Sequence, residues 1–570
     1  MAHRCVSFFV LGGLIGCLAL VTTHTFAAPP KLNYLFPAGA ARASSVVLKA
    51  SGEFPRWPVK FWTRDAGITA ASAEEKGKLN LTVSEGVAPG VHWLRCFDDE
   101  GASSPRPLII GSLPEVEETE PNDTPEKPHR LSDCVTINGR LAKNNDVDCF
   151  SLELRAGQTL VASVEAHQEL ASPMDAVLQI CMLTPNRSAA ASGALEAFVL
   201  EQIDDCIGLD PRLVFHVPRD GSYLLRLFSF PKEPNSTIGF AGGENFLYRL
   251  TLTTAAFVEF ARPVAIQAEV PTIVELNGWN IPGNLRSLTV VAPQSSDVFD
   301  AFHSEIASFA RLAVVDHPVV DYDPTPGAKP QPVAIPVTIT GLLKTPRQRD
   351  TFVFQAVKGE KIRLQVVSRT LGFAAAAIVV VTDESGKNLT ENEEGRSRRS
   401  GGGSRGRSRQ PNPDMTFTAP ADGQYHVVVS DTHGQASGRH VYRLTLDKLA
   451  PDFDLSIAND SFVLTRDKPL EIPVKVERQN DFAEPIQFVV EGLPSGTSVA
   501  PVTSEKEGDS AKEVKLVIST DATSPAWQGA ITVFGVTSGE RAIKRVANYT
   551  LAEFNVERSD VWLTIAAGKK

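Results

Sequence analysis

Long hydrophobic runs are nearly missing from this sequence. One apolar stretch, Val6 to Val21, lies at the very start. No later segment approaches the ~20 apolar residues that a helix needs to span a bilayer. Aromatic residues are sparse at 7%, and acidic residues outnumber basic ones to give a formal net charge of -11. Phosphate backbones are held by basic stripes, so nucleic acid is not expected as a partner. Catalytic signatures are missing as well. There is no His-Glu-x-x-His, and the one Gly-x-Ser-x-Gly match, Gly402-Gly-Ser-Arg-Gly406, sits in a basic low-complexity run with no apolar strand before it, so it is no nucleophile elbow. The glycine run at Gly401 has no Lys-Ser/Thr behind it, and the eleven histidines are scattered with none paired at ligand spacing. The expectation is a protein that is not an enzyme, although triad partners distant in sequence meet only in the fold. No Cys-x-x-Cys pair occurs, which argues against structural zinc.

The start of the chain reads as a targeting segment. His3 and Arg4 precede the apolar run, and Thr25-Phe-Ala27 supplies small residues for a cut after Ala27. Residues 1-27 are therefore expected to be a signal peptide, with the mature protein secreted, periplasmic or on the cell surface and free of any membrane span. The rival is lipoprotein anchoring at Cys17, since Leu14-Ile-Gly-Cys17 matches a lipobox. The mature chain keeps Cys96, Cys134, Cys149, Cys181 and Cys206. Export permits disulfides, and four of these cysteines fall in one module, so two bridges in any of three pairings are open, as is a set of buried free thiols.

What the chain has is turns. Its 41 glycines and 39 prolines separate short alternating apolar runs, and 570 residues exceed a single core. The expected fold is all-β: a tandem array of β-sandwich modules, immunoglobulin-like and jelly-roll-like, in the order A-B-A′-B′-C. The limits are 28-114 (A), 115-254 (B), 255-325 (A′), 326-448 (B′) and 449-570 (C). The B to B′ repeat rests on register. Thr136-Ile-Asn-Gly139, Asp148-Cys-Phe150, Gly157 and Pro218-Arg-Asp-Gly-Ser-Tyr223 recur 202 residues later, as Thr338-Ile-Thr-Gly341, Asp350-Thr-Phe352, Gly359 and Pro420-Ala-Asp-Gly-Gln-Tyr425. Tyr248-Arg-Leu-Thr-Leu252 recurs as Tyr442-Arg-Leu-Thr-Leu446 after a small deletion. Pro263, Val274-Glu-Leu-Asn-Gly278 and Leu288-Thr-Val290 echo Pro37, Leu48-Lys-Ala-Ser-Gly52 and Leu81-Thr-Val83. Within B′, residues 396-410 read RSRRSGGGSRGRSRQ, with nothing apolar to bury, and are expected to form a disordered loop. Phe54, Trp57, Phe61 and Trp62 are either a sugar-stacking or partner-gripping face or, from the alternation of Trp57, Val59 and Phe61, core.

Module B holds Glu118-x-Glu-Pro-Asn-Asp123, Asn138-Gly139, Asp146-x-Asp148-x-Phe150, Ala156-Gly-Gln158, Asp220-Gly-Ser-Tyr223 and Tyr248-Arg-Leu-Thr-Leu252. This combination resembles the bacterial pre-peptidase C-terminal domain, a small β-sandwich appended to secreted proteins. Modules A and A′ resemble IPT/TIG domains, C resembles immunoglobulin-like accessory domains, and the whole is similar to planctomycete-type multi-module secreted proteins.

Calcium takes six to eight oxygens from carboxylates, amides, backbone and water. Glu118, Glu120, Asn122 and Asp123 enter B, and Asn145, Asp146 and Asp148 form a turn before a strand, so these seven are the candidate calcium ligands. The resemblance points to Glu120, Asn122, Asp123, Asn145 and Asp148, because some family members bind calcium through an acidic N-terminal segment. The alternative is that they only cap turns. B′ carries Asp321-Tyr-Asp323 and Gln348-Arg349 in their place, so no calcium is expected there. The expected function is an exported, non-catalytic binding or spacer protein of the cell envelope or extracellular space, engaging protein or polysaccharide. The alternatives are an accessory to a secreted peptidase and a divergent hydrolase.

Overall fold

The computed structural model describes residues 28-566, except 186-194, 234-238, 394-411, 295, 326, 467, 522 and 540-541. The expected signal peptide and the basic 396-410 stretch lie outside the described residues.

The described chain is almost entirely strand, and its one α-helix is the four-residue His167–Leu170. Alternation in the sequence becomes alternation of burial. In Leu470–Gln479, Ile472, Val474 and Val476 are buried and the residues between them are exposed. That period of two places one face of each strand on a core.

Module A is one nine-stranded sheet that runs from Lys31–Phe36 through Ser44–Glu53 and ends on the edge strand Gly39–Ala41. Phe54 and Val59 are buried in its core, and Trp57 and Phe61 pack against it, so the alternation does mark core. Trp62 does not join them. It lies across the strand and meets Trp562 of the last module, with ring centroids 5.5 Å apart.

Module B stacks two five-stranded sheets. One has the order Glu115–Glu117, Val135–Arg140, Leu247–Thr253, Thr159–Glu165, Arg212–His216. The other has the order His129–Arg130, Asp148–Leu154, Gly221–Pro231, Met174–Pro185, Leu195–Ile203. Between them lie Ile137, Phe150, Leu225, Tyr248 and Leu250. Module B′ repeats this topology strand for strand, from Val319–Tyr322 to Asn388–Glu393. The register repeats too: Gly139 faces Tyr248 and Gly341 faces Tyr442. A Cβ at either glycine would overlap the facing tyrosine ring, so only glycine permits the approach. A′ pairs two three-stranded sheets, and its strand Phe257–Arg262 bulges at Val258/Phe260 opposite Gly278, as Lys31–Phe36 bulges at Leu32/Tyr34 opposite Gly52.

All five described cysteines are free thiols. Cys149 and Cys181 sit in a small apolar layer with Leu224 and Phe228 on the outer face of a B sheet. Burial pushes their thiols up to about 12 and about 11.

The array does not run out as a string, because its last module returns to its first. Arg95 of A is fully buried. It donates to Tyr549 Oη (3.1 Å) and to the carbonyls of Asp460 and Asp560, both at 3.3 Å. It also stacks over Trp562 at 5.5 Å. Trp93 meets Phe554 at 5.1 Å, and Gln528 donates to Asp99 at 2.8 Å. Closer in sequence, Asn280 of A′ donates to the Thr159 carbonyl of B at 2.8 Å, and Val264 N–H donates to Thr340 Oγ1 of B′ at 2.9 Å.

Candidate metal centre

The acidic residues converge where A passes into B. The strand Glu115–Glu117 pairs in parallel with Val135–Arg140, and Glu118 N–H continues the ladder to the Asn138 carbonyl at 3.0 Å. The chain then crosses to the other sheet, where Cys149 N–H donates to the Asn122 carbonyl at 3.1 Å. This crossing lays Glu118–Asp123 over the start of Asp148–Leu154. Two groups of carboxylates result, each with its oxygens within 4.8 Å of one another: Glu118, Glu120 and Asp148, and Glu120, Asp123 and Asp146. Glu120 belongs to both.

Backbone donors aim the carboxylates. Arg140 N–H donates to Glu118 Oε1 (2.7 Å), Asn122 N–H to Glu120 Oε2 (2.9 Å) and Ala142 N–H to Asp146 Oδ2 (2.6 Å). Tyr248 Oη lies 2.8 Å from Glu118 Oε2 and 2.5 Å from Asp148 Oδ2. One hydroxyl proton serves only one of these oxygens. Burial pushes the Glu118 carboxyl up to about 7, and burial together with the neighbouring Glu118 charge raises Asp148 well above the usual carboxylate range. Asp146 is raised by burial as well. Asp123 is held low by the Lys143 ammonium, which donates to its Oδ2 at 2.9 Å.

Several atoms here have no partner. Asn122 is fully buried with neither Oδ1 nor Nδ2 bonded, and one oxygen each of Asp123, Asp146 and Asp148 is buried and unbonded. Such a group normally costs about 1–3 kcal/mol when left unsatisfied. Five carboxylates and an amide, with no His or Cys among them, form a hard oxygen donor set that suits calcium rather than zinc. On these orphaned oxygens, the residues fit a divalent cation.

The five carboxylates among the seven expected residues come together here, and Asn122 lies in the same crossing, buried and with its amide unbonded. Asn145 does not join them. It adopts left-handed backbone (φ 65°), and its Oδ1 accepts from Phe240 N–H at 3.1 Å, which ties the turn to the 239–243 loop. Sequence reasoning missed Tyr248 and Lys143. Tyr248 stands as an inward residue in the closing strand, and only the crossing of the two sheets shows where its hydroxyl lands.

The second copy differs at the same place. Tyr322 pairs with Gly341 as Glu118 follows on toward Gly139, and its ring packs on Phe352 at 4.8 Å. Gln348 stands where B has Asp146. Its Nε2 donates to Asp350 Oδ1 (2.8 Å) and to the Leu342 carbonyl (3.0 Å). An amide donor thus occupies the space between oxygens that B leaves unbonded. Among the described residues, carboxylates converge in threes only in B.

No protein-family model and no curated protein matches the chain. Solved structures do. The pre-peptidase C-terminal domain of a Bacillus anthracis collagenase is 16% identical, is covered completely by 22% of this chain, and has a TM-score of 0.16. The SGBP-B protein of the Bacteroides ovatus mixed-linkage glucan utilization locus, solved with a mixed-linkage heptasaccharide, is 9% identical, with 72% of each chain covered and a TM-score of 0.13. The four N-terminal Ig domains of Dscam1 are 10% identical, with 92% of this chain and 98% of that one covered and a TM-score of 0.16. Likenesses with TM-scores this low carry no argument about function. No helix among the described residues is long and apolar enough to cross a membrane.

Proposed function

We propose that this chain is an exported, non-catalytic binding protein of the cell envelope or extracellular space, engaging protein or polysaccharide, in which a calcium ion locks the joint between modules A and B. The modules divide at 114/115, 254/255, 318/319 and 448/449, the third boundary falling before Val319–Tyr322 because that strand pairs with Val337–Leu342, with A and A′ of IPT/TIG type and B and B′ of pre-peptidase C-terminal type. The observation that carries the calcium reading is the set of buried oxygens without partners at the crossing, beside carboxyls that burial and neighbouring negative charge push above their ordinary range. Glu118, Glu120, Asn122, Asp123, Asp146 and Asp148 would hold the ion. When bound, it supplies positive charge and oxygen coordination and no reaction. The residues themselves tie Glu118–Asp123, the link from A, onto the strands of B.

The joint is fixed a second time by Arg249. It is buried, donates to Glu115, and donates to Glu165 Oε2 at 2.6 Å. A Cβ on Gly39 of module A would approach its Nε to 2.7 Å. A binding protein built of small modules presents a defined surface only if its joints are held, and a cation at this joint does that.

The test is thermal unfolding and calcium titration calorimetry on the full chain. A ligand that binds only the folded state stabilises it by RT ln(1 + [L]/Kd), about 1.4 kcal/mol at ten times Kd. Asp123→Ala and Asp148→Ala should each remove the calcium-dependent gain, and Asp350→Ala in the second copy should keep it. Asp123 is partly exposed, so its variant folds even where the Asp148 variant does not. Equal melting of the native chain with calcium and with chelator would refute the reading.

A further inference from the structure

Lys143 has no place in a simple acidic cation site, and it decides how this one fills. Its ammonium lies 2.9 Å from Asp123 Oδ2 and 3.9 Å from Asp146 Oδ1. Both carboxylates belong to the outer group, which shares Glu120 with the inner one. Among the described residues no lysine or arginine forms an ion pair with Glu118 or Asp148, and the Lys143 charge reaches the inner group only through the shared Glu120. The donors to the inner group are the Tyr248 hydroxyl and the N–H groups of Arg140 and Asn122. Positive charge is therefore built into one half of the cluster only.

We propose that Lys143 is a resident counter-cation for the outer half of the cluster, one that a divalent ion must displace before that half can fill. This rests on the calcium reading above. Lys143 neutralises charge but satisfies only one oxygen, Asp123 Oδ2. Asp146 is fully buried, with Oδ2 on the Ala142 N–H, while its Oδ1 keeps no hydrogen bond, the ammonium being beyond hydrogen-bond reach. Asp123 Oδ1 is unbonded as well. A calcium ion needs six to eight oxygens and would take both. The lysine can leave at little cost, since its side chain is 63% exposed and its head can move into water.

Module B′ shows the same device where it does not have to yield. Lys344 Nζ lies 2.6 Å from Asp323, and Gln348 replaces the second carboxylate with an amide whose oxygen accepts from the N–H groups of Lys344 (2.8 Å) and Thr345 (3.1 Å). Neither Gln348 nor Asp350 leaves a buried side-chain atom without a partner. There one carboxylate, Asp323, faces both Lys344 and, at 3.9 Å, Arg262. In B, two carboxylates face one lysine, and the excess negative charge favours a divalent ion.

The experiment is calcium titration calorimetry of the full chain and of Lys143→Met, which keeps the apolar stem and removes the charge. Removing one positive charge about 4 Å from the ligands should tighten binding roughly tenfold at low ionic strength, with a single ion still bound across both halves of the cluster. Lys143→Arg, which keeps the charge, should behave as the native chain, and Lys344→Met should bind no additional calcium. Melting in chelator verifies that each variant folds. If native chain and Lys143→Met bind calcium with equal affinity, the displacement proposal falls and the calcium site stands. If neither binds calcium, both fall. If only Lys143→Met binds, the lysine is the resident cation of the native chain and the displacement proposal is upheld.

Discussion

At the scale of the residue, Glu118 carries the most information. Its carboxyl is pushed from 4.5 to about 7 by burial, and Asp148 and Asp146 move in the same direction. A raised carboxyl in the folded, calcium-free chain keeps a proton that the unfolded chain releases near its ordinary value. That contribution to stability is complete below about pH 4.5 and is lost as pH rises through 7, at a cost on the order of 3 kcal/mol. Urea unfolding in chelator should therefore show the chain less stable at pH 8 than at pH 5 on account of this cluster, and Glu118→Gln should flatten the slope. A slope unchanged by Glu118→Gln would show that the charge is not confined as described. Part of this was legible in the sequence. Two acidic runs separated by a strand suggest convergence, and the five carboxylates among the seven named residues do converge. Asn145 was not separable from them, because an Asn in a turn reads the same whether its amide faces a cation or, as here, the N–H of Phe240. Tyr248 and Lys143 were invisible for a different reason: their roles arise from a crossing between sheets that no local pattern encodes.

At the scale of the element, the repeat of ten strands was legible because register is a property of sequence. Gly139 opposite Tyr248 and Gly341 opposite Tyr442 keep a fixed offset, since either glycine is required by the ring it faces. The joint between A and B was not legible. Arg249 lies within a conventional alternating strand, yet its guanidinium is buried between Glu115, which is itself nearly buried, and Glu165. Removing one partner of such a pair strands the other, which costs about 3–5 kcal/mol. Arg249→Met should lower the stability of the full chain by that amount. The corresponding Arg443→Met should cost less, since Arg443 is only half-buried and is shown with no such carboxylate pair. Chemical denaturation of the two variants checks the difference, and equal losses would refute the asymmetry.

At the scale of the whole molecule, the array closes through one contact between its ends. Nothing in the sequence marks this. Trp62, Trp93 and Arg95 look like ordinary members of strands, and their partners Trp562, Phe554 and Tyr549 lie more than 400 residues away. Arg95→Ala removes every hydrogen bond that the guanidinium makes to module C and its stacking on Trp562. The expected result is an increase in the radius of gyration by small-angle scattering, with C free to swing. Each module should keep its fold, as read by an unchanged β-sheet circular dichroism spectrum. A scattering curve indistinguishable from that of the native chain would show that other contacts suffice to hold C in place.

The closure also sets how the molecule would carry a mechanical load. Gly101 of A lies against both Pro29 and Val463, and Val463 is paired with Thr564 in the last strand. Pro29, before the first described strand, and Thr564, in the last, therefore lie near each other, with Gly101 and Val463 between them. Tension applied between them would not pass through B, A′ and B′ in series, as in an extended fibre. It would fall first on the buried Arg95 contact, and the modules between would be slack until that contact parted. The chain would then lengthen abruptly by the path of the intervening modules, so that the interface between the first and last modules, with Arg95 buried in it, sets the force at which a compact body becomes a tether.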